Sequence, residues 1–332
     1  MKKNFFYFAF AAVAAISLTA CSSDDDSNDG GSTTPTVNLP RPANADNAAV
    51  YTFAGGGVTS STTVQGEEHA PVLNSLEVTE SEQVLFQITE VDNRPFYVID
   101  RPTVVGNTFT FNSDKVKGTI QRIERVAATR QGMTEYALIL SLTINHAGNP
   151  IEFKTSPEGV PATKQPTPAA STNDNAMTCL VRTWNILGAT LDLIDLSKNE
   201  TYYMEFASKN GMFDMHEVLV EAKKREVSFS AKEEEDLTRK IVSITLTQSK
   251  NFVVAYNEGA DDVATWNWAN TEKTAFTIKL KEGSTGNKFI NDDTRIETAF
   301  SGNMCNLMMK IKFDDNSNKK WDASLLLKLQ SN

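Results

Sequence analysis

The chain has 332 residues and a formal net charge of −10 at pH 7. An acidic chain of this kind repels phosphate backbones, because affinity for nucleic acid comes largely from Lys and Arg replacing counterions, so we expect no nucleic-acid partner. The length predicts about two domains, each long enough to bury a core of its own.

The N-terminus has the pattern of a secretory signal. Two lysines precede an apolar run over residues 5–18, which is shorter than the roughly 20 apolar residues of a membrane helix. Leu18-Thr19-Ala20-Cys21 resembles the lipobox of bacterial lipoproteins. The resemblance implies a signal peptide over residues 1–20 and a membrane anchor of acyl chains on Cys21. The alternative is an ordinary cleaved signal with a chance cysteine.

A polar segment follows the cysteine. It begins with Ser22, Ser23, Asp24, Asp25 and Asp26, which is similar to the acidic signal that sends lipoproteins of the phylum Bacteroidota to the cell surface. A solvated acidic spacer is the alternative. Residues 21–44 are rich in Ser, Asp, Asn, Thr, Gly and Pro, a composition that cannot bury enough apolar area to fold. We therefore predict a lipidated flexible tether there, on an outer-membrane protein facing outward.

Residues 45–155 are predicted to form an N-terminal all-β domain. Short β-branched or aromatic runs alternate with turn-forming residues, which favours a small sandwich or barrel. These runs cover residues 73–79, 83–90, 96–100, 108–111, 116–126 and 135–144. Residues 156–176 contain four prolines among Thr, Ser and Ala without apolar periodicity, so a linker is predicted.

Residues 177–332 are predicted to form an antiparallel β-barrel. Apolar residues alternate with polar ones through most of this region, which indicates strands with one buried face. About ten such strands, one of them over residues 227–229, suffice to close a barrel. One helix is predicted over Met212–Arg225, because Asp214 and Glu217 have the spacing of a capping box. The predicted fold class is therefore all-β in both domains.

Several motifs of the C-terminal region resemble those of lipocalin-like lipoproteins of Bacteroidota. They are Leu180-Val181-Arg182-Thr183-Trp184, Ile244-Thr245-Leu246, Asn251-Phe252-Val253-Val254 and Ala264-Thr265-Trp266-Asn267-Trp268. The resemblance extends over residues 177–329 and implies a lipocalin-like barrel whose base is closed by Trp184. Ala264 stands where the family usually has glycine. The predicted helix is not a feature of ordinary lipocalins, so the resemblance implies a related barrel rather than an inherited ligand.

No motif for catalysis or cofactor binding was found in the sequence. His69, His146 and His216 have no other histidine or cysteine at metal-ligand spacing, so neither a metal nor a cofactor is expected. The acidic runs Glu233–Asp236 and Asp314–Asp315 are predicted to be solvated loop faces, since sequence spacing alone cannot show the paired carboxylates of a glycosidase. We therefore expect a protein that is not an enzyme.

Cysteine and tryptophan residues supply the remaining candidates. Cys179 and Cys305 permit one disulfide in an oxidising compartment, or they are two separately buried thiols. Trp266 and Trp268 lie on one face of a strand because they are two residues apart. If that face points inward, they belong to the core or line a cavity for an apolar ligand. If it points outward, they form a stacking platform for sugar rings.

Two functional hypotheses follow from these observations, and a hydrolase ranks third behind them. The first is a noncatalytic binding module for a small apolar or amphipathic ligand, with Trp184, Trp266 and Trp268 as candidate contacts. The second is a glycan-binding or structural surface protein that uses its N-terminal domain as a contact or spacer. A hollow barrel would favour the first hypothesis, and a barrel filled by side chains would remove it.

Overall fold

The structure is a computed structural model that describes residues 39–62, 70–124, 134–146, 148–166, 175–284 and 294–331. The predicted signal peptide, Cys21, the acidic residues 22–26 and His69 lie outside these ranges. No described helix combines the length and the apolar composition that crossing a bilayer requires.

The N-terminal domain is one antiparallel sheet, with eleven strands in the described residues. They are β1 (Ala49–Phe53), β2 (Val58–Thr59), β3 (Val72–Val78), β4 (Val84–Thr89), β5 (Pro95–Asp100), β6 (Thr103–Val105), β7 (Thr108–Asn112), β8 (Val116–Glu124), β9 (Thr134–His146), β10 (Asn149–Lys154) and β11 (Val160–Pro166). The strand order is β5-β4-β3-β1-β11-β9-β8-β7-β6, with β10 beside β9 and β2 beside β3. The sheet curls into a half-barrel around its own apolar core.

Three details of this domain differ from the sequence predictions. The sheet stays open, because its end strands β5 and β6 do not pair with each other. Strand β11 lies inside the predicted linker 156–176 and pairs with both β1 and β9; its prolines, Pro161 and Pro166, lie near the strand ends, where a missing N–H interrupts the ladder least. The predicted tether ends earlier than residue 44, since Leu39 is already buried against the C-terminal core.

The C-terminal domain contains three helices and ten strands in its described part. They are α1 (Asn175–Leu180), β12 (Thr183–Asp195), β13 (Glu200–Ala207), β14 (Phe213–Asp214), α2 (Met215–Lys224), α3 (Ala231–Asp236), β15 (Lys240–Leu246), β16 (Asn251–Tyr256), β17 (Asp262–Trp268), β18 (Ala275–Leu280), β19 (Arg295–Ser301), β20 (Met304–Asp314) and β21 (Lys320–Ser331).

Eight of these strands close into an antiparallel barrel. The order around the ring is β12-β21-β20-β19-β18-β17-β16-β15, and pairing of residues 183–185 with residues 243–245 joins β15 back to β12. Period-two alternation explains the inward face: in β21 the buried positions are Trp321, Ala323, Leu325, Leu327 and Leu329. The predicted all-β class with a lipocalin-like C-terminal barrel is confirmed.

The helices pack against the ends of the barrel. Helix α1 lies where β12 begins, and α2 packs beside the start of β15 at the opposite end. The helix predicted over residues 212–225 starts at Met215, because Asp214 is its N-cap and accepts a hydrogen bond from the His216 amide at 2.9 Å. Helix α2 buries Met215, Val218, Leu219 and Ala222 against the core.

Two further predictions for this domain were wrong. The acidic run Glu233–Asp236 is part of α3 rather than a loop, because Ser230 and Glu233 form a capping box that starts a helix. Residues 227–229, predicted as a strand, form no ladder, although Val227 and Phe229 are buried in the barrel core. Their apolar side chains therefore contribute to core packing and do not mark a strand.

Candidate functional site

Two of the three candidate tryptophans are fully buried inside the barrel. Trp184 and Trp266 are both 0% exposed. Their indole N–H groups are also satisfied internally, since Trp184 Nε1 donates to the Leu180 carbonyl at 3.0 Å and Trp266 Nε1 donates to the Thr247 carbonyl at 3.2 Å. In this conformation neither side chain offers surface or a donor to a ligand.

Trp184 occupies the end of the barrel that α1 covers. Its ring contacts Phe300, with ring centroids 6.2 Å apart, and the Arg182 guanidinium lies 5.6 Å from the ring centroid. Such a cation over an indole face is attracted by the ring quadrupole. Arg182 also donates to the carbonyls of Thr178 and Pro40, at 2.9 and 3.0 Å. It therefore ties the barrel end to α1 and to the first described residues.

Trp268 differs from the other two candidates because it is only partly buried. Its ring meets that of Trp266 edge to face at a centroid distance of 5.3 Å. The Nε1 atom of Trp268 is buried and has no hydrogen-bond partner among the described residues. A buried indole N–H usually has an acceptor, so Trp268 Nε1 is a candidate donor to a ligand.

The structure has Cys179 and Cys305 as two buried thiols rather than a disulfide. Cys179 lies in α1 and Cys305 in β20, and both belong to the barrel core. Burial raises the pKa of the Cys305 thiol, and the nearby Cys179 raises it further. A thiol held protonated in this way is a poor nucleophile and a poor metal ligand.

The described histidines are far from any metal-binding arrangement. His146 stacks on Phe96 with ring centroids 4.0 Å apart, and its Nε2 lies 3.0 Å from a carboxylate oxygen of Glu90. His216 is exposed on α2. Within the described ranges, no group of three or more His, Cys, Asp or Glu side chains could hold a metal ion.

The two domains meet over an apolar patch that we call the domain junction. It consists of Leu85, Tyr97 and Ile99 from the N-terminal sheet and Val253, Ala255 and Val263 from the barrel wall, all buried. Strand β16 is buried at every position, because one of its faces points into the barrel and the other into the junction. This second buried face attaches the half-barrel to the outside of the closed barrel.

A buried ion pair borders the junction on one side. Asp261 accepts hydrogen bonds from Lys115 Nζ and from the Ile99 amide, both at 2.6 Å, and from the Tyr256 amide at 2.8 Å. Burial raises the pKa of Asp261, while Lys115 and these hydrogen bonds lower it. Lys115 and Ile99 belong to the N-terminal domain, so the carboxylate joins backbone and side chain across the boundary.

Two glutamates border the junction on its other side. Glu77 accepts from Ser249 Oγ, and from Asn251 Nδ2 at 2.6 Å, while Glu80 accepts from the Gln248 amide at 3.1 Å. Burial raises the pKa of both carboxyls, that of Glu80 to about 7. No sequence pattern singles out these residues, since their partners in the 247–251 turn lie more than 160 positions away.

A cleft of about 220 Å³ opens beside Glu80. Four chain segments form its walls, which are the end of the tether, the β3–β4 turn, Arg101 between β5 and β6, and the start of β12. Its lining residues are Pro40, Arg41, Pro42, Ala43, Glu80, Ser81, Glu82, Arg101, Arg182 and Thr183. It is a polar recess with three arginines and two glutamates at the place where both domains and the tether meet.

No protein-family model and no curated protein matches the sequence. One similar solved structure is a double mutant of the vaccine antigen transferrin binding protein B from Haemophilus parasuis, with 10% identity and a TM-score of 0.23; the match covers 85% of this chain and 59% of that one. Another is described as an outer membrane protein from Bacteroides fragilis, with 13% identity, a TM-score of 0.19 and coverages of 86% and 98%.

Proposed function

We propose that the chain is a lipid-anchored outer-membrane lipoprotein that acts as a noncatalytic binding module, with its ligand site outside the barrel. The anchor is supported by the lipobox pattern ending at Cys21 and by the acidic residues Asp24 to Asp26 after it. The external ligand site is supported by one structural observation, which is that the barrel interior is filled by side chains.

The filling is continuous from one end of the barrel to the other. Inward side chains of all eight ring strands belong to one apolar cluster, which also includes residues of α1 and α2. Trp184, Trp266 and Trp321 in that cluster are each 0% exposed. A ligand entering there would displace core aromatic groups, and removing one such group costs about 3–5 kcal/mol. An external site avoids that cost.

A titration with a fluorescent fatty acid tests the external site. We expect no saturable binding by the mature protein, because the apolar space is occupied by the protein itself. Saturable one-to-one binding that a Trp266→Ala substitution changes would show that the interior accepts a ligand. A Tyr203→Ala variant serves as the matched comparison, because Tyr203 is 63% exposed and lies outside the barrel core.

A metabolic label tests the anchor separately. A fatty-acid probe fed to cells should mark the wild-type protein and the Cys179→Ala variant, and should leave Cys21→Ala unmarked. Protease added to intact cells should then digest the anchored protein if residues 22–26 direct surface display. A wild-type protein without the label would overturn the lipoprotein proposal. A labelled protein that the added protease does not digest would lie on the periplasmic face of the outer membrane, which would contradict surface display.

A second candidate function is supported by Trp268 alone. Its partly exposed ring and its buried, unpartnered Nε1 could together hold a small amphipathic ligand that brings one acceptor atom and one apolar face. Such a ligand would quench or shift the fluorescence of wild-type protein and leave Trp268→Phe unchanged. If wild type and variant respond alike to every amphipathic probe, this candidate is removed.

A further inference from the structure

The cleft at the meeting point of tether, N-terminal sheet and barrel has walls that internal hydrogen bonds hold in place. The Arg182 guanidinium donates to the Pro40 carbonyl at 3.0 Å, which fixes the tether wall to β12. The Thr183 amide donates to Ser81 Oγ at 2.9 Å, which fixes β12 to the β3–β4 turn. Asn44 Nδ2 donates to the Thr79 carbonyl at 2.9 Å. The cleft is therefore a built recess rather than a gap between loose loops.

Three arginines line this recess in an otherwise acidic chain. Arg182 is 5% exposed and belongs to the wall. Arg41 is exposed at the rim, where it pairs with Asp46 at 2.6 Å. Arg101 is also exposed, and its guanidinium makes no ion pair within the described part of the chain. Arginine is well suited to bind carboxylate and phosphate oxygens, because its planar fork donates two parallel hydrogen bonds.

The cleft also has two acidic side chains. Glu82 is exposed, so solvent and salt screen its charge as they screen the charges of Arg41 and Arg101. Glu80 is 1% exposed, and its Oε2 atom has no hydrogen-bond partner among the described residues. Burial raises the pKa of Glu80 to about 7, so near neutral pH its carboxyl is protonated in a large fraction of molecules and brings a donor to this wall.

We propose that the cleft binds the anionic oxygen group of a small polar ligand, namely a sugar carboxylate or a sugar phosphate, with Arg101 and Arg41 as the contacting cations. This inference rests on the proposed function, since it names a ligand class for the external site. The volume of about 220 Å³ is below the range of drug-sized pockets and suits a single sugar ring. Ser81 supplies a hydroxyl group on the same wall.

Calorimetric titration of the mature protein with three probes tests the proposal. Glucuronate and glucose 6-phosphate carry the anionic group, and glucose lacks it. We expect binding of at least one anionic probe and none of glucose. Arg101→Gln and Arg41→Gln should each weaken that binding about tenfold or more, because a hydrogen bond to a charged group contributes roughly 1.5–3 kcal/mol. Arg94→Gln is the control, since Arg94 lies outside the cleft and is 72% exposed.

The arms of the experiment separate the outcomes. Preference for glucuronate or for glucose 6-phosphate identifies the carboxylate or the phosphate as the recognised group, and either result supports the site. Absence of binding by both anionic probes, equal binding of glucose, or an equal effect of Arg94→Gln would overturn it. The anionic probes can also fail to bind while Cys21 still carries the fatty-acid label and the protein still does not bind fatty acid. In that case the proposed function stands without this site.

Discussion

Lys115 of the N-terminal sheet donates hydrogen bonds to both carboxylate oxygens of Asp261 in the barrel domain, each at 2.6 Å. The Lys115 side chain is 10% exposed and that of Asp261 is 0% exposed. A third contact, from Lys115 Nζ to the Tyr256 carbonyl at 3.2 Å, completes the environment of the ammonium group. This buried charge pair therefore connects the two domains.

Removing one member of the pair should destabilise the protein strongly. Lys115→Met leaves the Asp261 carboxylate buried without its cation, which costs about 3–5 kcal/mol. The double variant Lys115→Met with Asp261→Asn should recover part of that loss. Urea unfolding of both variants measures the effect, with Lys117→Met as the control because Lys117 is exposed. Equal stability of Lys115→Met and Lys117→Met would show that the pair does not hold the junction.

The stability of the folded chain should depend on the ionisation of Glu80. Its pKa rises from 4.5 to about 7 on folding, so the folded state binds a proton more tightly than the unfolded state does. Folding stability therefore falls as the pH rises from about 4.5 to about 7, and the Glu80 contribution is constant above that range. The shift corresponds to about 3 kcal/mol.

Unfolding curves of Glu80→Gln across this pH window provide the check. The substitution should flatten the decline in stability, although Glu77 and Asp261 keep part of it because burial raises their pKa in the same direction. Glu82→Gln should retain the wild-type slope, since Glu82 is exposed. If Glu80→Gln leaves the slope of unfolding free energy against pH unchanged, the pKa assigned to Glu80 is contradicted.

Asp315 organises the end of the barrel opposite α1. It accepts hydrogen bonds from Trp321 Nε1 at 3.2 Å, from the Ser228 amide at 3.1 Å and from the Ser317 amide at 2.8 Å. Asp314–Asp315 was predicted to be a solvated loop face, which is wrong for Asp315 because it is 4% exposed. These hydrogen bonds replace those that an exposed carboxylate would make to water, so the Asp315 carboxylate can be buried.

Asp315→Ala should therefore lower the unfolding free energy by about 1–3 kcal/mol or more, because several buried donors lose their acceptor. Asp314→Ala is the matched control at an exposed neighbour. Burial raises the pKa of Asp315, but its hydrogen bonds together lower it to about 2. Its contribution is therefore present above the unfolded pKa near 3.8 and is lost as the pH falls toward 2. Equal unfolding midpoints for the two variants would contradict this role.

Gly283 lies against the N-terminal domain and tolerates no side chain. A Cβ atom there would be 1.6 Å from the Pro95 carbonyl oxygen, and its φ is +84°. Gly302 has φ +59°, and a Cβ atom added there would have no heavy atom within 4 Å. Gly302→Ala should thus cost only backbone strain of roughly 1 kcal/mol, and Gly283→Ala should cost clearly more. Thermal unfolding compares the two, and equal losses would mean that this close approach is not required.

Much of the barrel could be predicted because period-two alternation in β15, β18, β20 and β21 shows one buried face in the sequence itself. The junction could not, because it depends on contacts such as Glu77 with Asn251 that no local pattern encodes. One signal was present: residues 252–256 are nearly all apolar, which is typical of a strand covered on both faces. The capping box at Ser230 likewise marked α3.

Strands β1 and β11 were missed for a related reason. Both are short, and β11 carries polar residues and two prolines, so its place between β1 and β9 comes from tertiary pairing rather than from propensity. The cleft was missed as well, because its arginines come from positions 41, 101 and 182. Only the folded chain brings them together.

Quenching of tryptophan fluorescence by acrylamide tests most directly whether the barrel interior is filled. The chain has four tryptophans, of which Trp184, Trp266 and Trp321 are 0% exposed and Trp268 is partly exposed. We predict one readily quenched component, absent from Trp268→Phe, and a protected majority that fatty acid does not alter. Ready quenching of the emission that remains in Trp268→Phe would contradict the filled barrel and, with it, the external ligand site.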